Sequence, residues 1–577
     1  MLKERIISEI MLALLLAGTL SPAFYGVTFT MDQASLIDLV EGMGKGESLA
    51  QWNKTYGGPD YDWAESVIQT SDGGYALVGC TRSFGAGSYD FWLIKTDANG
   101  DMEWNKTYGG TNMDVAESII QTSDGGYALA GRTGPRNYYD FWFVKTDADG
   151  NMEWNKTFGG TSDDMAHSLI QTVDGGYALA GYTGSFGAGE SDFWLIKTDA
   201  NGNVQWNKTY GYEFLAEMAY SVIQSNDGGY VMAGVISEYP NWDSAYFWLV
   251  KTDMNGNMEW ERDYGDGSPH PWYIANSVVQ TSDGGYALAG SFDFYLVKTD
   301  PRGIPQWDRK YEGPYSDYAQ SMVQTPDGGY ALAGRVEWFD GEGDDFWLVK
   351  TDANGNMEWH VTYGGAEYDD ALSVIQASDG GYVLAGRTDS FGAGGADAWL
   401  VKFVPYHDIV LVNMTPSKTA VGQGFQISIN VTVENQGFYM ETFNVTAYID
   451  LAPPIGDEIT LRKQTTTNLP IGETRTVQFQ WDTTGLAKGN YTISAIADII
   501  DDIDATDNTY IDGTVVITIL GDVNGDFTVD IFDLVAVAAW FGSTIPPAPP
   551  NSDIIEDKLI DIYDLVTVAI HYGEADP

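Results

Sequence analysis

This sequence predicts a mainly β chain: a seven-bladed β-propeller, then an Ig-like β-sandwich, then a small α-helical module built on two acidic loops. Three observations predict it. The tetrad DGGY recurs at residues 72, 124, 174, 227, 283, 327 and 379, at a spacing of about fifty residues that falls in the range of propeller blades. From His407 onward the repeat gives way to alternating apolar and polar residues between turn signals, as in a sandwich. The final segment holds two runs of Asp and Asn, each leading into an apolar stretch of helical period.

Each repeat reads as four strands. In the second copy these are SIIQT (118–122), YALAG (127–131), DFWFVKT (140–146) and the stretch at 152–158, all rich in aromatic and β-branched residues. Ser-Asp-Gly-Gly joins the first pair, and Asp-Ala-Asp-Gly-Asn or an Asn-Gly variant joins the second. Glycine and Asn/Asp supply the positive φ of such turns. The array is out of phase with itself: the last copy stops at its third strand, 398–403, while a fourth strand, WNKTY at 52–56, precedes the first complete copy. Pairing these two ends closes a ring of seven blades and removes the free edges, whereas an open β-solenoid needs no phase shift.

In such a ring the SVIQT-type strands line the channel and both short hairpins lie on one face. The longer loops, such as SFGAGSYD (83–90), SFGAGESD (185–192) and SFGAGGAD (390–397), share the other face, the expected place for binding. Asp62, Asp114, Asp164, Glu217, Tyr273, Asp317 and Asp369 precede the inner strands and ring the channel mouth. They read as turn-tying acids before they read as a cation site or a hydroxyl acceptor. Trp92, Trp142, Trp194, Trp248, Tyr295, Trp347 and Trp399 read as core between blades. Arg132, Arg335 and Arg387, present in three blades only, read as solvated loop residues or contacts for an anion.

Length and composition agree with this plan. A chain of 577 residues exceeds one compact core, and 44% hydrophobic content with 67 Gly and 35 Tyr suits turn-rich β structure. The net charge is −53, from 82 acidic and 29 basic residues, which disfavours nucleic acid and anionic membranes and favours cations. Cys80 is the sole cysteine, so no intrachain disulfide forms. Residues 1–28 read as a secretory signal peptide, with Lys3 and Arg5 ahead of the apolar run 11–20, and 29–50 as a linker. A secreted protein, extracellular or associated with the cell surface, is expected. The sequons at Asn53, Asn105, Asn155, Asn207, Asn413, Asn430, Asn444 and Asn490 suit that location, but four of them lie in the repeated WNKT phrase, where Asn and Thr also read as plain strand residues. The expected domains are the propeller at 51–404, the sandwich at 405–518 and the terminal module at 519–577.

No catalytic constellation confined to one or two blades stands out. His167, His270, His360, His407 and His571 share no metal-ligand spacing, and no HExxH, GxSxG or Walker-type loop occurs.

In the second domain, the phrases VENQG, FNVTAYID, LPIGETRTVQFQWDTTGLAKGNYTISAIAD and DATDN resemble the CARDB family of prokaryotic adhesion-related modules. The resemblance implies a sandwich that serves as spacer or adhesion element. The acidic run Asp498, Asp501, Asp502, Asp504 and Asp507 reads either as a calcium site or as a solvated edge turn.

GDVNGDFTVDIFDL places Asp522, Asn524, Asp526, the Thr528 carbonyl, Asp530 and Asp533 at positions 1, 3, 5, 7, 9 and 12 of a calcium loop, since oxygen ligands at those offsets wrap one hard cation. A second loop offers Asp553, Asp557, Asp561 and Asp564, with Ile555 at position 3 and Glu556 in place of the turn glycine. A duplicated loop, each half followed by one helix, resembles the type I dockerin domain. That resemblance implies a Ca2+-dependent fold that docks onto a cohesin-like partner, with recognition pairs on Ile531 and Phe532, Ala538 and Ala539, Ile562 and Tyr563, and Ala569 and Ile570. The long linker IPPAPPNSD and the altered second loop depart from the family pattern. The expected function is a non-catalytic binding or adhesion protein, held by its tail in a cell-surface or polysaccharide-degrading assembly. The alternative is a glycoside hydrolase or lyase with its site on the loop face.

Overall fold

The DGGY turn shows how a short phrase sets a structural unit. Asp72 Oδ1 accepts from Thr70 Oγ1 (2.5 Å) and from the Gly74 amide (3.0 Å), and Asp72 Oδ2 pairs with Lys95 (2.9 Å). Gly73 takes φ +88°, and a Cβ on Gly74 would lie 2.1 Å from the Thr96 carbonyl oxygen. Each letter is therefore required. Tyr75 is fully buried, its ring 5.8 Å from that of Trp52. The lysine at the equivalent place in every copy, from Lys95 to Lys402, is buried and bonded to the aspartate of its own turn.

The structure is a computed structural model that describes residues 50–575 apart from 137, 239–243, 266–272, 292, 314–316, 338–342, 452–458, 501, 505, 546–549 and 555–557. The expected signal peptide and all but one residue of the expected linker lie outside the described residues. The chain is mainly β, with repeated four-stranded sheets and, among the described residues, two short α-helices.

Between Ala50 and Phe403 the strands form seven such sheets, each antiparallel and in chain order. The first comprises Asp62–Gln69, Tyr75–Thr81, Asp90–Thr96 and Met102–Tyr108. The exception to chain order is the expected one: Ala50–Tyr56 adds to the last sheet by pairing antiparallel with Asp397–Phe403, Trp52 opposite Lys402 and Tyr56 opposite Ala398. Successive sheets are tied by repeated bonds. The Ser71 amide donates to Gln121 Oε1 (2.9 Å) and the Ser123 amide to Gln171 Oε1 (3.0 Å). The same bond joins last sheet to first, from the Ser378 amide to Gln69 Oε1 (2.8 Å), and the Val67 amide donates to Ser373 Oγ (3.2 Å).

The first strands are longer than expected. SIIQT belongs to a strand spanning Met113–Gln121, and all seven first strands carry a β-bulge at the same place. In the first sheet Ala64 faces Gly79 and Ser66 faces Val78, so Glu65 has no partner across the pair. The bulged residues are Glu65, Glu117, His167, Tyr220, Asn276, Gln320 and Leu372. Each bulge presses on the last residue of YALAG: a Cβ on Gly79 would lie 2.0 Å from the Trp63 carbonyl oxygen. That glycine is therefore fixed by close approach.

The acids expected at the channel mouth are buried and bonded locally. Asp62, Asp164, Glu217, Asp317 and Asp369 are fully buried. Asp62 Oδ1 accepts from Thr81 Oγ1 (2.5 Å) and Asp62 Oδ2 from the Gly58 amide (2.8 Å). The Trp92 class is buried as core. In the WNKT phrase the asparagine accepts from the indole of the neighbouring strand, Trp92 Nε1 to Asn105 Oδ1 at 3.2 Å. Arg132, Arg335 and Arg387 correct the sequence reading: they lie within second strands and are paired, Arg132 with Glu117, Arg335 with Asp370 and Arg387 with Asp389.

A second core follows. Ile409–Pro416, Gln426–Asn435 and Thr474–Asp482 form one sheet; Ala420–Gly422, Glu441–Leu451, Ile459–Leu469, Gly489–Asp498 and Thr509–Thr518 form the other. Apolar residues of both enclose Trp481, Phe479 and Ile429. The strand Ile459–Leu469, absent from the sequence reading, is an edge strand with mostly exposed side chains, so it lacks the alternation that marks half-buried strands.

Candidate functional site

The C-terminal module is two copies of one loop-and-helix unit. Asp522 begins the first loop, with Oδ1 accepting from the Gly525 amide and Oδ2 from the Phe527 amide, both at 2.8 Å. Asn524 Oδ1 accepts from the Asp526 amide (2.8 Å), and Asp526 Oδ1 from the Thr528 amide (2.9 Å). These short polar side chains wind the backbone around their own carboxylates. Asp530 then caps helix α1, Ile531–Ala538, while Asp533 Oδ2 returns to the Asp530 amide (2.8 Å), a capping box. Asp533 Oδ1 also accepts from the Val523 amide (3.0 Å), which closes the loop.

The second loop repeats this. The Lys558 amide donates to Asp553 Oδ2 (2.9 Å), the Ile554 amide to Asp564 Oδ1 (2.7 Å), and Asp561 caps helix α2, Ile562–Ile570, in the same capping box. Asp557, Glu556 and Ile555 lie outside the described residues. The helices are shorter than the apolar run suggests, since α1 ends at Ala538 and Trp540 and Phe541 continue as a turn. Position 6 of each loop takes a left-handed φ, +67° at Phe527 and +69° at Lys558, where glycine is the unstrained choice.

The donors are suited to a hard cation. They are carboxylate and amide oxygens of the class calcium takes, and Asp522, Asp533 and Asp564 are buried. Burial holds the Asp533 carboxyl above its usual range; a bound cation would offset that cost.

Val523, Val529, Val537, Ile554, Ile560 and Val568 make the module's core. All eight positions carried over from the dockerin resemblance lie outside that core and are exposed. Among them Phe532 is 67%, Tyr563 64% and Ile570 70% exposed. Val535 and Val566, one turn on, are exposed as well. The module is seated on the sandwich: Lys418 Nζ donates to the Asp553 carbonyl (2.8 Å) and the Thr419 amide to Asn551 Oδ1 (3.0 Å).

A second acidic group lies in the sandwich. Carboxylate oxygens of Asp408, Asp502 and Asp507 fall within 4.8 Å of one another. Asp502 Oδ2 accepts from the Ile409 amide (3.0 Å), whereas Asp408 Oδ1 and Asp507 Oδ1 are buried with no hydrogen-bond partner. Burial and the neighbouring acids, Asp507 and Asp502 first, push the Asp408 carboxyl up to about 6. Asp504 is spent on its own turn, accepting from the Thr506 amide, and Asp498 faces Lys463 at 3.4 Å; Asp501 lies outside the described residues. The acidic run is therefore divided, and Asp408, one strand away, is the member that sequence proximity does not reveal.

Several solved structures are similar to parts of this chain. A protein of unknown function from Bacteroides caccae is 14% identical, covering 50% of this chain and 93% of its own, with a TM-score of 0.34. Sqt1 from Chaetomium thermophilum is 11% identical over 81% of this chain and 99% of its own, with a TM-score of 0.37. The CARDB domain of a Pyrococcus furiosus protein, solved in complex with di-metal ions, is 20% identical over 20% of this chain and 97% of its own, with a TM-score of 0.17. No curated protein matches the chain. The CARDB family model matches residues 407–510, and this segment, with its two facing sheets, is a CARDB domain.

Proposed function

We propose that this chain is a secreted, non-catalytic glycan-binding or adhesion protein in which a closed seven-bladed propeller, at 51–404, presents the binding face. The CARDB domain acts as spacer, and the dockerin-like tail, 519–577, folds around Ca2+ and docks onto a cohesin-like partner in a cell-surface or polysaccharide-degrading assembly. The observation that carries this reading is the tail. Two loops with matching bonds set two short helices that each leave several apolar residues exposed, among them Phe532, Val535, Tyr563 and Ile570, and exposed apolar residues grouped in this way suit an interaction site. Closure of the propeller is supported by the bonds that join last sheet to first, and the Asp408 group is a further cation candidate.

The test is calorimetric. The full-length protein, titrated with Ca2+ after chelation, is expected to bind at least one ion and to gain a melting transition for the tail. An Asp522→Ala, Asp533→Ala variant is expected to lose both. Identical melting in chelator and in calcium would remove the calcium-dependent tail.

A second reading, a polysaccharide-active enzyme, is favoured by one observation. Glu65 and Glu117 are carboxyls at the same bulge position of successive first strands, Glu65 accepting from Trp63 Nε1 and Glu117 paired with Arg132; burial raises the Glu65 carboxyl above its usual range, whereas Arg132 and His167, against burial, hold Glu117 below it. Two carboxyls with separated protonation states are the currency of acid–base hydrolysis.

A further inference from the structure

The seven bulges occupy one repeated position, yet the residue each one extrudes is not repeated. The flanking residues are constant: every bulge lies between an alanine and a serine, and opposite the same glycine. A bulge re-aims a side chain that the ladder would otherwise fix. The residues on either side of this machinery also vary: Trp63, Met165, Met218 and Asp370 before the alanine, and Arg132, Tyr182 and Arg335 after the glycine. Inside the strands, variation at these places against a repeated Ala, Ser and Gly frame distinguishes scaffold from candidate site.

On one arc the side chains form a connected group. Trp63 Nε1 donates to Glu65 Oε1 (2.6 Å), Glu117 holds Arg132 and lies 3.7 Å from His167 Nδ1, and the His167 ring is 4.8 Å from that of Tyr220 and 5.8 Å from that of Tyr182. His167 Nε2 is buried and has no hydrogen-bond partner. Tyr182 and Met218 open onto a cavity of about 570 Å³ at the loop end, with Asp163 and Glu190 at its wall. That volume is in the range of small-ligand sites.

We propose that this cavity and the bulge residues behind it bind an uncharged polyhydroxylated ligand, a short stretch of neutral polysaccharide; the inference rests on the glycan-binding reading above and locates its site. The chemistry selects that class. Arg132, the cation within this side-chain group, is already paired with Glu117, and the cavity wall carries Asp163 and Glu190, so an anion is not favoured. What remains at the cavity is the Tyr182 ring, backed by the stacked His167 imidazole, and acidic hydrogen-bond acceptors, which suit a sugar's apolar face and hydroxyls.

The experiment measures binding of cellohexaose, xylohexaose, mannohexaose and an oligogalacturonate to the full-length protein by calorimetry, with the products analysed for cleavage. Tyr182→Ala and His167→Ala are expected to weaken binding of the preferred neutral hexasaccharide at least tenfold. Glu190→Trp, an exposed change that fills the cavity mouth, does the same if the first two fail to fold. Phe84→Ala and Phe186→Ala, on exposed loops of the same face, are expected to stay within about twofold. Loss of binding in the Phe variants with Tyr182→Ala, His167→Ala and Glu190→Trp unaffected would overturn this site and leave glycan binding standing. Preferential binding of the oligogalacturonate would overturn the ligand class, and no binding by any of the four would overturn both.

Discussion

Among the acids expected at the channel mouth, Glu217 is one whose burial is costly. It is fully buried, its Oε2 has no hydrogen-bond partner, and burial followed by Asp192 pushes its carboxyl up to about 8. The sign follows directly: between an unfolded value near 4.5 and the folded value near 8, the native state keeps a proton that the unfolded chain has lost. Stability contributed by this group is therefore lost as pH rises through that window. Glu217→Gln, which cannot ionise, is expected to gain on the parent by roughly 2–4 kcal/mol between about pH 5 and pH 8; parallel denaturation curves at the two pH values check it, and a constant difference would refute it. Lys558 offers a second test. Its side chain is exposed and its φ is +69°, so Lys558→Gly relieves strain without removing packing and is expected to stabilise the tail by about 1 kcal/mol.

Within one element, the bulge and its glycine act as a unit. A Cβ on Gly181 would lie 1.9 Å from the Met165 carbonyl oxygen, which belongs to backbone and cannot turn aside. Gly181→Ala is expected to cost about 3 kcal/mol or more, read as a lowered thermal midpoint, whereas Ala180→Gly, its neighbour, is expected to cost only about 1 kcal/mol. Equal effects would show that the bulge does not constrain this residue. YALAG ends in glycine in all seven copies, and that was the available trace of the bulges. It was not decisive, because a glycine in a strand equally signals a turn or a gap. In the tail the Asp spacing was more legible: Asp522, Asn524 and Asp526 each bond to amides two to five positions away, so local sequence sets local geometry.

Across the whole molecule, the last sheet depends on a strand from the start of the chain. Removing residues 1–56 would leave the edge of Asp397–Phe403 unpaired, and exposed edges template association. The shortened protein is expected to melt about 5–10 °C lower and to aggregate, by light scattering; unchanged melting of a monomer would show that this pairing is dispensable. The CARDB domain meets the last sheets through Phe438, whose ring lies 5.3 Å from Trp359 and 5.1 Å from Tyr406. The domains thus share apolar surface.

By itself the sequence determined the repeat and its count, the four strands per unit, the turns and the twin acidic loops, because each follows from periodicity or from a φ that only certain residues adopt. It also determined the pairing of the first strand with the last sheet, through the phase of the array. Tertiary structure decided which distant side chains meet: His167 with Tyr220, Asp408 with Asp502 and Asp507, and the Ser373 hydroxyl with the Val67 amide. Those contacts join residues far apart in sequence, and only packing of sheet on sheet brings them within reach.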